Sequence, residues 1–118
     1  MRPKNKTPIY VDMAKARLIV AAVSAEFSVP EAGIFGELKG RSEISYGRQI
    51  AMYLMHCILG TTKTRIAEVF GRHFSTVSHA CKLIEEHRDD PVLDQKLIGL
   101  ENRLSYISAS YISTLETQ

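Results

Sequence analysis

The spacing of apolar residues along this chain predicts helices throughout. Residues 11–27 form an Ala-rich stretch without Gly or Pro, and residues 46–59 are apolar around most of a helical circumference. After Pro91, leucines recur at alternating steps of four and three. Such periods are typical of helices, whereas exposed strands alternate at every second residue. With shorter helices at 30–35 and within 63–86, the pattern predicts an all-α fold, a compact bundle of about six helices with a long C-terminal helix.

Sequence signals at the helix ends divide these segments. The residue before a proline is forced out of the helical region, so Val29-Pro30 separates the first two helices. We predict that Ser45 caps the central helix, which starts at Tyr46, and that Gly60 closes it. The first helix is expected to pack through a stripe of small residues made of Ala14, Leu18, Ala21, Ala22 and Ala25.

The last helix is predicted to begin at Pro91, with Asp90 as its cap, and to run to about residue 115. Its apolar residues follow heptad spacing: Leu93, Leu97, Leu100, Leu104, Ile107 and Tyr111. This spacing is compatible with a coiled-coil dimer, but it more often marks one face docked on the parent domain. We favour docking for the first half and leave residues 105–118 as an extension that is docked or free.

The stretch 63–86 has the pattern of two short helices joined by a tight turn. The first is predicted over residues 63–70, followed by Gly71, the residue type that best ends a helix. The second begins near Ser75 or Thr76, where a hydroxyl can accept a bond from a free amide. Its apolar residues recur at i, i+3, i+4 and i+7, which indicates one buried stripe. They are Val77, Ala80, Cys81 and Ile84.

Another face of that second helix suits a polyanion. Ser75, Ser78, His79 and Lys82 carry hydroxyls, an imidazole and an ammonium, and no carboxylate follows until Glu85. Two helices with a Gly-containing turn and such a face match a helix-turn-helix, whose second helix enters the major groove of DNA. An ordinary helical hairpin with a polar outside is the alternative interpretation.

Length and composition are those of one soluble globular domain, with 118 residues, 45% apolar and 24% charged. No apolar run approaches the ~20 residues that span a bilayer, and we see no signal peptide, so we expect a cytoplasmic protein. The net charge is only +2, but it is unevenly distributed. Residues 1–84 carry 12 Lys and Arg against 6 Asp and Glu, and residues 85–118 carry 3 against 7. The positive part contains the candidate helix-turn-helix, as nucleic-acid binding requires.

Basic residues outside the second helix are further candidates for contact with DNA. Residues 1–10 are predicted to form a flexible basic arm. Lys39 and Arg41 lie in a Gly-containing loop from which they can enter a minor groove, although solvated loop charge is the alternative. Arg48 and Gln49 open the central helix, where free amides favour phosphate. The residues that would form one continuous positive patch are Lys39, Arg41, Arg48, Lys63, Arg65 and Arg72. A scatter of these charges would instead favour a protein partner.

Signatures of catalysis are missing from the sequence. There is no phosphate-binding GxxxxGK[ST] loop and no GxSxG, HExxH or GxGxxG motif. Cys57 and Cys81 lie in apolar helical stripes and are predicted to be buried free thiols. Neither a CxxC nor an HxxxH pair occurs, so we expect no metal site, no cofactor and no enzymatic activity.

Three blocks of sequence resemble the C-terminal DNA-binding domain of DnaA, the bacterial chromosomal replication initiator. They are residues 48–54 (RQIAMYL), 66–71 (IAEVFG) and 75–82 (STVSHACK), followed by Ile84, in family order and with nearly family spacing. The resemblance implies that family's fold, a Trp-repressor-like bundle containing a helix-turn-helix. On this basis the chain is divided into a flexible basic arm at 1–10, the DNA-binding domain at 11–104 and the C-terminal extension at 105–118.

The resemblance also implies DNA contacts at matching positions. Arg48 and Gln49 match residues that meet phosphates, and Lys63 would lie near the DNA backbone. Ser75 and Thr76 match the family's two threonines, which meet base edges and thymine methyls. The full set of candidate DNA-contacting residues is Lys39, Arg41, Arg48, Gln49, Lys63, Arg65, Arg72, His73, Ser75, Thr76, Ser78, His79 and Lys82.

The turn departs from the family pattern. Phe70-Gly71-Arg72-His73-Phe74 is one residue shorter than the family's Phe-Gly-Gly-Arg-Asp-His, and its carboxylate acceptor for cytosine is missing. The family's ATPase module also has no counterpart in this sequence. We expect a stand-alone protein that binds double-stranded DNA in replication or transcription, associated with the nucleoid, with altered recognition of the initiator box. The alternative is a protein-interaction module in which Phe74 anchors a partner such as the initiator. The heptad spacing of the last helix is compatible with a homodimer under either interpretation.

Overall fold

The computed structural model describes residues 7–36 and 42–116 of the chain, with side chains up to Tyr106. Within these ranges the chain forms six helices and no strand, which confirms the predicted all-α bundle. In order, the helices are α1 (Ile9–Phe27), α2 (Glu31–Phe35), α3 (Ser42–Leu59), α4 (Lys63–Phe70), α5 (Phe74–His87) and α6 (Pro91–Glu116).

α3 is the central helix around which the others pack. Residues 50–55 form an unbroken run in which every side chain is at most 3% exposed. α3 contacts α1, α2, α4, α5 and α6. These five helices cover the apolar surface that extends around most of its circumference. The prediction of the most buried helix from its composition is confirmed.

The N-terminal end of α3 differs from the prediction. The helix begins at Ser42, so Ser45 lies within its first turn and does not cap a helix at Tyr46. The start predicted from Ser45 was wrong because the helix extends further toward the N-terminus, through Ser42, Glu43 and Ile44. At the other end Gly60 has φ +65, the left-handed conformation expected of a residue that closes a helix.

α1 packs through only part of the predicted stripe. Ala14 is buried and Leu18 and Ala22 are half-buried against the core, whereas Ala21 and Ala25 are exposed. The fully buried side chains of this helix are mainly β-branched: Ala16, Ile19, Val20 and Val23. α1 lies against α3, α4 and α6, and these larger side chains remove more apolar surface from water than alanines do.

The first half of α6 is docked on the domain, as predicted. Leu93, Leu97, Leu100 and Leu104 are buried, whereas Tyr106 is 81% exposed. The side chains of Ile107 and Tyr111 lie outside the described residues. Although α6 spans 26 residues, none of the helices in the described ranges is long and apolar enough to cross a membrane.

The two cysteines lie in different surroundings. Cys81 is buried, as predicted, and burial raises the pKa of its thiol, which keeps it protonated at neutral pH. Cys57 is exposed, so its predicted burial was wrong. It lies near the end of α3, beyond the run of residues that the other helices enclose.

Arg88 joins the C-terminal half of the bundle through polar contacts. Its guanidinium donates to Glu101 at 2.7 Å, to Asp94 at 2.6 Å and to the hydroxyl of Tyr53 at 3.0 Å. That hydroxyl donates in turn to Glu85 at 2.6 Å. The bonds to Glu101 contribute most to raising the pKa of Arg88, while burial raises the pKa of Tyr53. The network therefore links α3, α5 and α6 with Arg88 charged and Tyr53 neutral.

Replacing Arg88 with Met is expected to lower the free energy of unfolding by about 2 kcal/mol, because three partly buried acceptors lose a charged donor. The measurement is urea unfolding followed by circular dichroism. Arg103→Met is the matched control, since Arg103 is 58% exposed and its bridge to Glu26 is 3.3 Å long. That change should cost at most about 0.5 kcal/mol. Equal losses in the two variants would contradict a stabilising role for the network.

Candidate functional site

α4 and α5 form a helix-turn-helix whose ends are set by local signals. Thr62 precedes α4, and its side chain accepts a bond from the amide of Arg65 at 3.2 Å. Gly71 follows α4 with φ 63, and its amide donates to the carbonyl groups of Ala67 and Glu68. The predicted role of Gly71 as the residue that ends the helix is confirmed.

α5 begins one residue earlier than predicted. Its first residue is Phe74 and its N-cap is His73, which makes no side-chain capping bond. Ser75 and Thr76 therefore occupy the exposed first turn and do not cap the helix. Both residues therefore lie at the N-terminal end of the second helix of the motif.

α5 has two faces of opposite character. The predicted apolar stripe of Val77, Ala80, Cys81 and Ile84 is buried. Ser75, Ser78, His79 and Lys82 repeat the same spacing two positions earlier, about 200° around the helix. All four are exposed except Ser78, which is half-buried. Because the sequence contains no Asp or Glu between Gly71 and Ile84, this outer face carries no negative side chain.

Arg48 does not lie at the start of a helix as predicted. It is 8% exposed and almost two turns inside α3, so the argument from free N-terminal amides does not apply to it. Its Nε donates to the carbonyl of Ile34 at 2.8 Å, and its Nη2 donates to those of Gly33 at 3.0 Å and Gly36 at 3.4 Å. Burial, with Arg72 nearby, lowers the pKa of Arg48. Arg48 holds the end of α2 against α3.

Arg65 is also engaged inside the protein. Its Nη1 lies 2.9 Å from Oδ2 of Asp12, which is 1% exposed, and donates to the carbonyl of Thr7 at 3.0 Å. Its Nε lies 3.0 Å from Glu68. In this structure Arg65 fastens α4 to α1, and a contact between Arg65 and DNA stays a prediction. Lys15 lies 3.4 Å from the same Asp12 carboxylate.

Arg72 points toward the segment that leaves α2. Its Nη2 donates to the carbonyl of Gly36 at 2.7 Å, so Arg48 and Arg72 both hold this residue. Gly36 is the last described residue before Lys39 and Arg41, which lie outside the described residues.

Of the predicted six-residue positive patch, Arg48 and Arg65 are engaged within the protein, and Lys39 and Arg41 lie outside the described residues. The helix-turn-helix instead exposes its own polar residues. His73, Ser75, Thr76, His79 and Lys82 are exposed. Half-buried positions are Gln49, Lys63, Arg72 and Ser78.

Asp12 is the site-supporting residue that sequence reasoning missed. Its partner Arg65 lies 53 positions further along the chain, so no local spacing relates the two. The one available signal was an acidic residue in the first turn of an Ala-rich helix.

The packing of α4 and α5, with a buried stripe on one side of α5 and a polar stripe on the other, defines the class of helix-turn-helix domains. A family model described as "Bacterial dnaA protein helix-turn-helix" matches residues 16–84. The chain belongs to this family of bacterial DnaA helix-turn-helix domains.

Relatives extend the match over most of the chain. The chromosomal replication initiator protein DnaA of Nostoc punctiforme is 36% identical over 120 residues, covering 93% of this chain and 25% of the relative. That of Lachnoclostridium phytofermentans is 35% identical over 91 residues, covering 75% of this chain and 19% of the relative. A crystal structure of a DNA replication initiation factor superposes with a TM-score of 0.72 at 27% identity, covering 81% of this chain and 30% of that one. The chain thus spans a quarter or less of the curated relatives cited here.

Replacing Arg65 with Met is expected to lower the free energy of unfolding by about 2 kcal/mol, since the buried Asp12 carboxylate loses a close cationic partner. Lys15 remains near that carboxylate and limits the loss. The control is Lys82→Met, which removes an exposed charge from α5 and should change stability by at most about 0.5 kcal/mol. Thermal and urea unfolding of both variants provide the comparison. A stable Arg65 variant would show that this arginine is not a fastening residue.

Proposed function

We propose that this protein binds double-stranded DNA through its helix-turn-helix, with α5 in the major groove. The observation that carries the proposal is the outer face of α5. Hydroxyls, imidazoles and an ammonium face solvent there without a carboxylate, directly opposite the stripe that fixes the helix to the domain. Helices of this class place the N-terminal part of the second helix against base edges.

The exposed and half-buried candidate residues divide into two kinds of proposed contact. Lys63, Arg72 and Lys82 are suited to phosphates, which fix the position of a protein on the duplex without reading sequence. The same role is proposed for Gln49 on α3. Hydrogen-bonding side chains at the start and along the outer face of α5 are suited to base edges: His73, Ser75, Thr76, Ser78 and His79.

Two of the predicted arginines act indirectly in this proposal. Arg48 holds α2 and Arg65 holds α4 in position. Their loss would weaken DNA binding by disturbing the fold and not by removing a contact with DNA. Contacts of Lys39 and Arg41 with a minor groove remain a prediction from the sequence.

The names of the relatives supply the setting. Both DnaA proteins are described as chromosomal replication initiators, which favours a role connected with DNA replication. We propose that this chain contributes DNA binding in a regulatory capacity, without hydrolysing ATP, in the cytoplasm and at the nucleoid.

A protein-interaction role is the second proposal, favoured by exposed apolar side chains on α6. Val92 is 66% exposed, Ile98 43% and Tyr106 81%. These residues offer a surface on which α6 can pair with a second copy of the chain or with a replication protein such as the initiator. Sedimentation of the protein across a concentration series tests the homodimer independently of DNA.

The experiment that tests DNA binding is a fluorescence-anisotropy titration with a duplex carrying the initiator box and with a scrambled duplex, each at two salt concentrations. Tighter binding to the box means that the altered turn still supports its recognition. Equal, salt-sensitive binding means that the protein binds DNA with another sequence preference or with none. Absence of binding at low salt would refute the proposal and favour the protein-interaction role.

Replacing Ser75 and Thr76 together with Ala is expected to reduce discrimination between a preferred and a scrambled duplex. Loss of one specific base contact typically costs about 1–3 kcal/mol, so the preference should fall roughly fivefold or more. The measurement is the ratio of the two dissociation constants. If both duplexes were weakened by the same factor, base reading at these positions would be ruled out.

Replacing Lys82 with Ala is expected to weaken all duplexes alike and to reduce the slope of log affinity against log salt by about one. Lys96→Ala is the matched control, because it removes the same charge from an exposed lysine beside Phe27 and the C-terminal end of α5. The slope of that variant should equal the slope of the unmodified protein. A similar loss of slope in the two variants would argue against a phosphate contact at Lys82.

A further inference from the structure

Phe74 is an apolar side chain in a polar setting. It is the first residue of α5 and its surface is 51% exposed, whereas the other apolar residues that line the inner face of this helix are buried. Its neighbours His73, Ser75 and Thr76 are all exposed and polar. Within the helix-turn-helix, residues 63–87, no other large hydrophobic side chain of the described chain is exposed to this degree.

This isolation argues against a protein anchor at Phe74. Hot spots in protein interfaces lie in well-packed pockets, surrounded by contacts that exclude water. Around Phe74 the exposed neighbours are an imidazole and two hydroxyls, which bind water. The exposed apolar residues of α6, Val92 and Ile98, belong to another helix and offer no such ring within α5.

The position of Phe74 instead suits a base edge in the major groove. The edges present there are ring nitrogens, carbonyl oxygens, amino groups and one apolar group, the 5-methyl of thymine. A phenyl ring neither donates nor accepts a conventional hydrogen bond, so the methyl is the partner that matches it. We propose that Phe74 reads a 5-methylpyrimidine, normally thymine, and so determines part of the sequence specificity.

This inference rests on the proposed DNA binding and adds the identity of one base class. It also gives the polar neighbours a consistent role. Ser75 and Thr76 can satisfy hydrogen-bonding groups beside the methyl, while the ring of Phe74 covers the apolar group. The turn contains no carboxylate that would prefer a cytosine amino group.

The test begins with selection of a high-affinity duplex from a random-core library by the 118-residue chain. Each thymine of that duplex is then replaced singly by deoxyuridine, which removes only the 5-methyl group. At one position the unmodified protein is expected to lose about fourfold in affinity, the value of one buried methyl. Phe74→Ala should lose nothing further at that position, while Phe74→Leu should keep part of the effect.

Two controls separate this idea from its alternatives. Thr76→Ser removes the methyl group of the exposed threonine near Phe74, and it should leave the deoxyuridine effect intact. Replacing the sensitive T·A pair with 5-methylcytosine·G and with C·G shows whether the methyl alone is read. A preference for the methylated pair supports the proposal and identifies methylated cytosine as an additional source of the group.

The outcomes distinguish failure of the proposed DNA binding from failure of the role assigned to Phe74. If no duplex is enriched and no salt-dependent binding occurs, the proposed function itself has failed. If DNA binds but no thymine is sensitive, or Phe74→Ala retains the same sensitivity, the assignment to Phe74 is wrong. Unchanged affinity and specificity of Phe74→Ala on every duplex would also overturn it and would favour a protein partner for this side chain.

Discussion

Burial of one stripe of α5 against the central helix is the constraint on which the site depends. Val77, Ala80 and Ile84 are fully buried, and α5 has its most extensive contacts with α3. A helix held along one stripe cannot rotate, so the residues two positions away around the helix must face outward. The same apolar contacts that stabilise the fold therefore orient the polar surface proposed to meet DNA, and a loss of packing at this seam would affect both.

The basic residues serve two separate purposes in this domain. Arg48 and Arg65 bind carbonyl groups or a carboxylate within the protein, and Arg88 joins three helices. Lys82, by contrast, lies on the exposed face of α5. Arginine suits the internal positions because its planar guanidinium offers several donors in a fixed geometry. A positive balance counted along the sequence thus overstates the charge that remains for a polyanion.

Local chemistry made most of the fold predictable. The apolar periods located all six helices of the described chain, Gly60 and Gly71 marked two ends, and the docking face of α6 followed from its leucines. Errors arose where a residue type is permitted in two settings, as with Ser45 inside a helix or alanines on an exposed face of α1. The outer face of α5 was predictable because its residues have the same spacing as the buried stripe and are offset from it by two positions, which places them on the opposite side of the helix.

The sequence by itself determined the helical class of the protein, the helix-turn-helix and the composition of its outer face, since these depend on residues only a few positions apart. The tertiary structure alone decided which arginines remain at the surface. Arg65 lies 53 positions from Asp12, and Arg48 lies 14 positions from the carbonyl of Ile34. Such partners are set by how helices pack, and packing brings together groups whose separation along the chain carries no periodic signal.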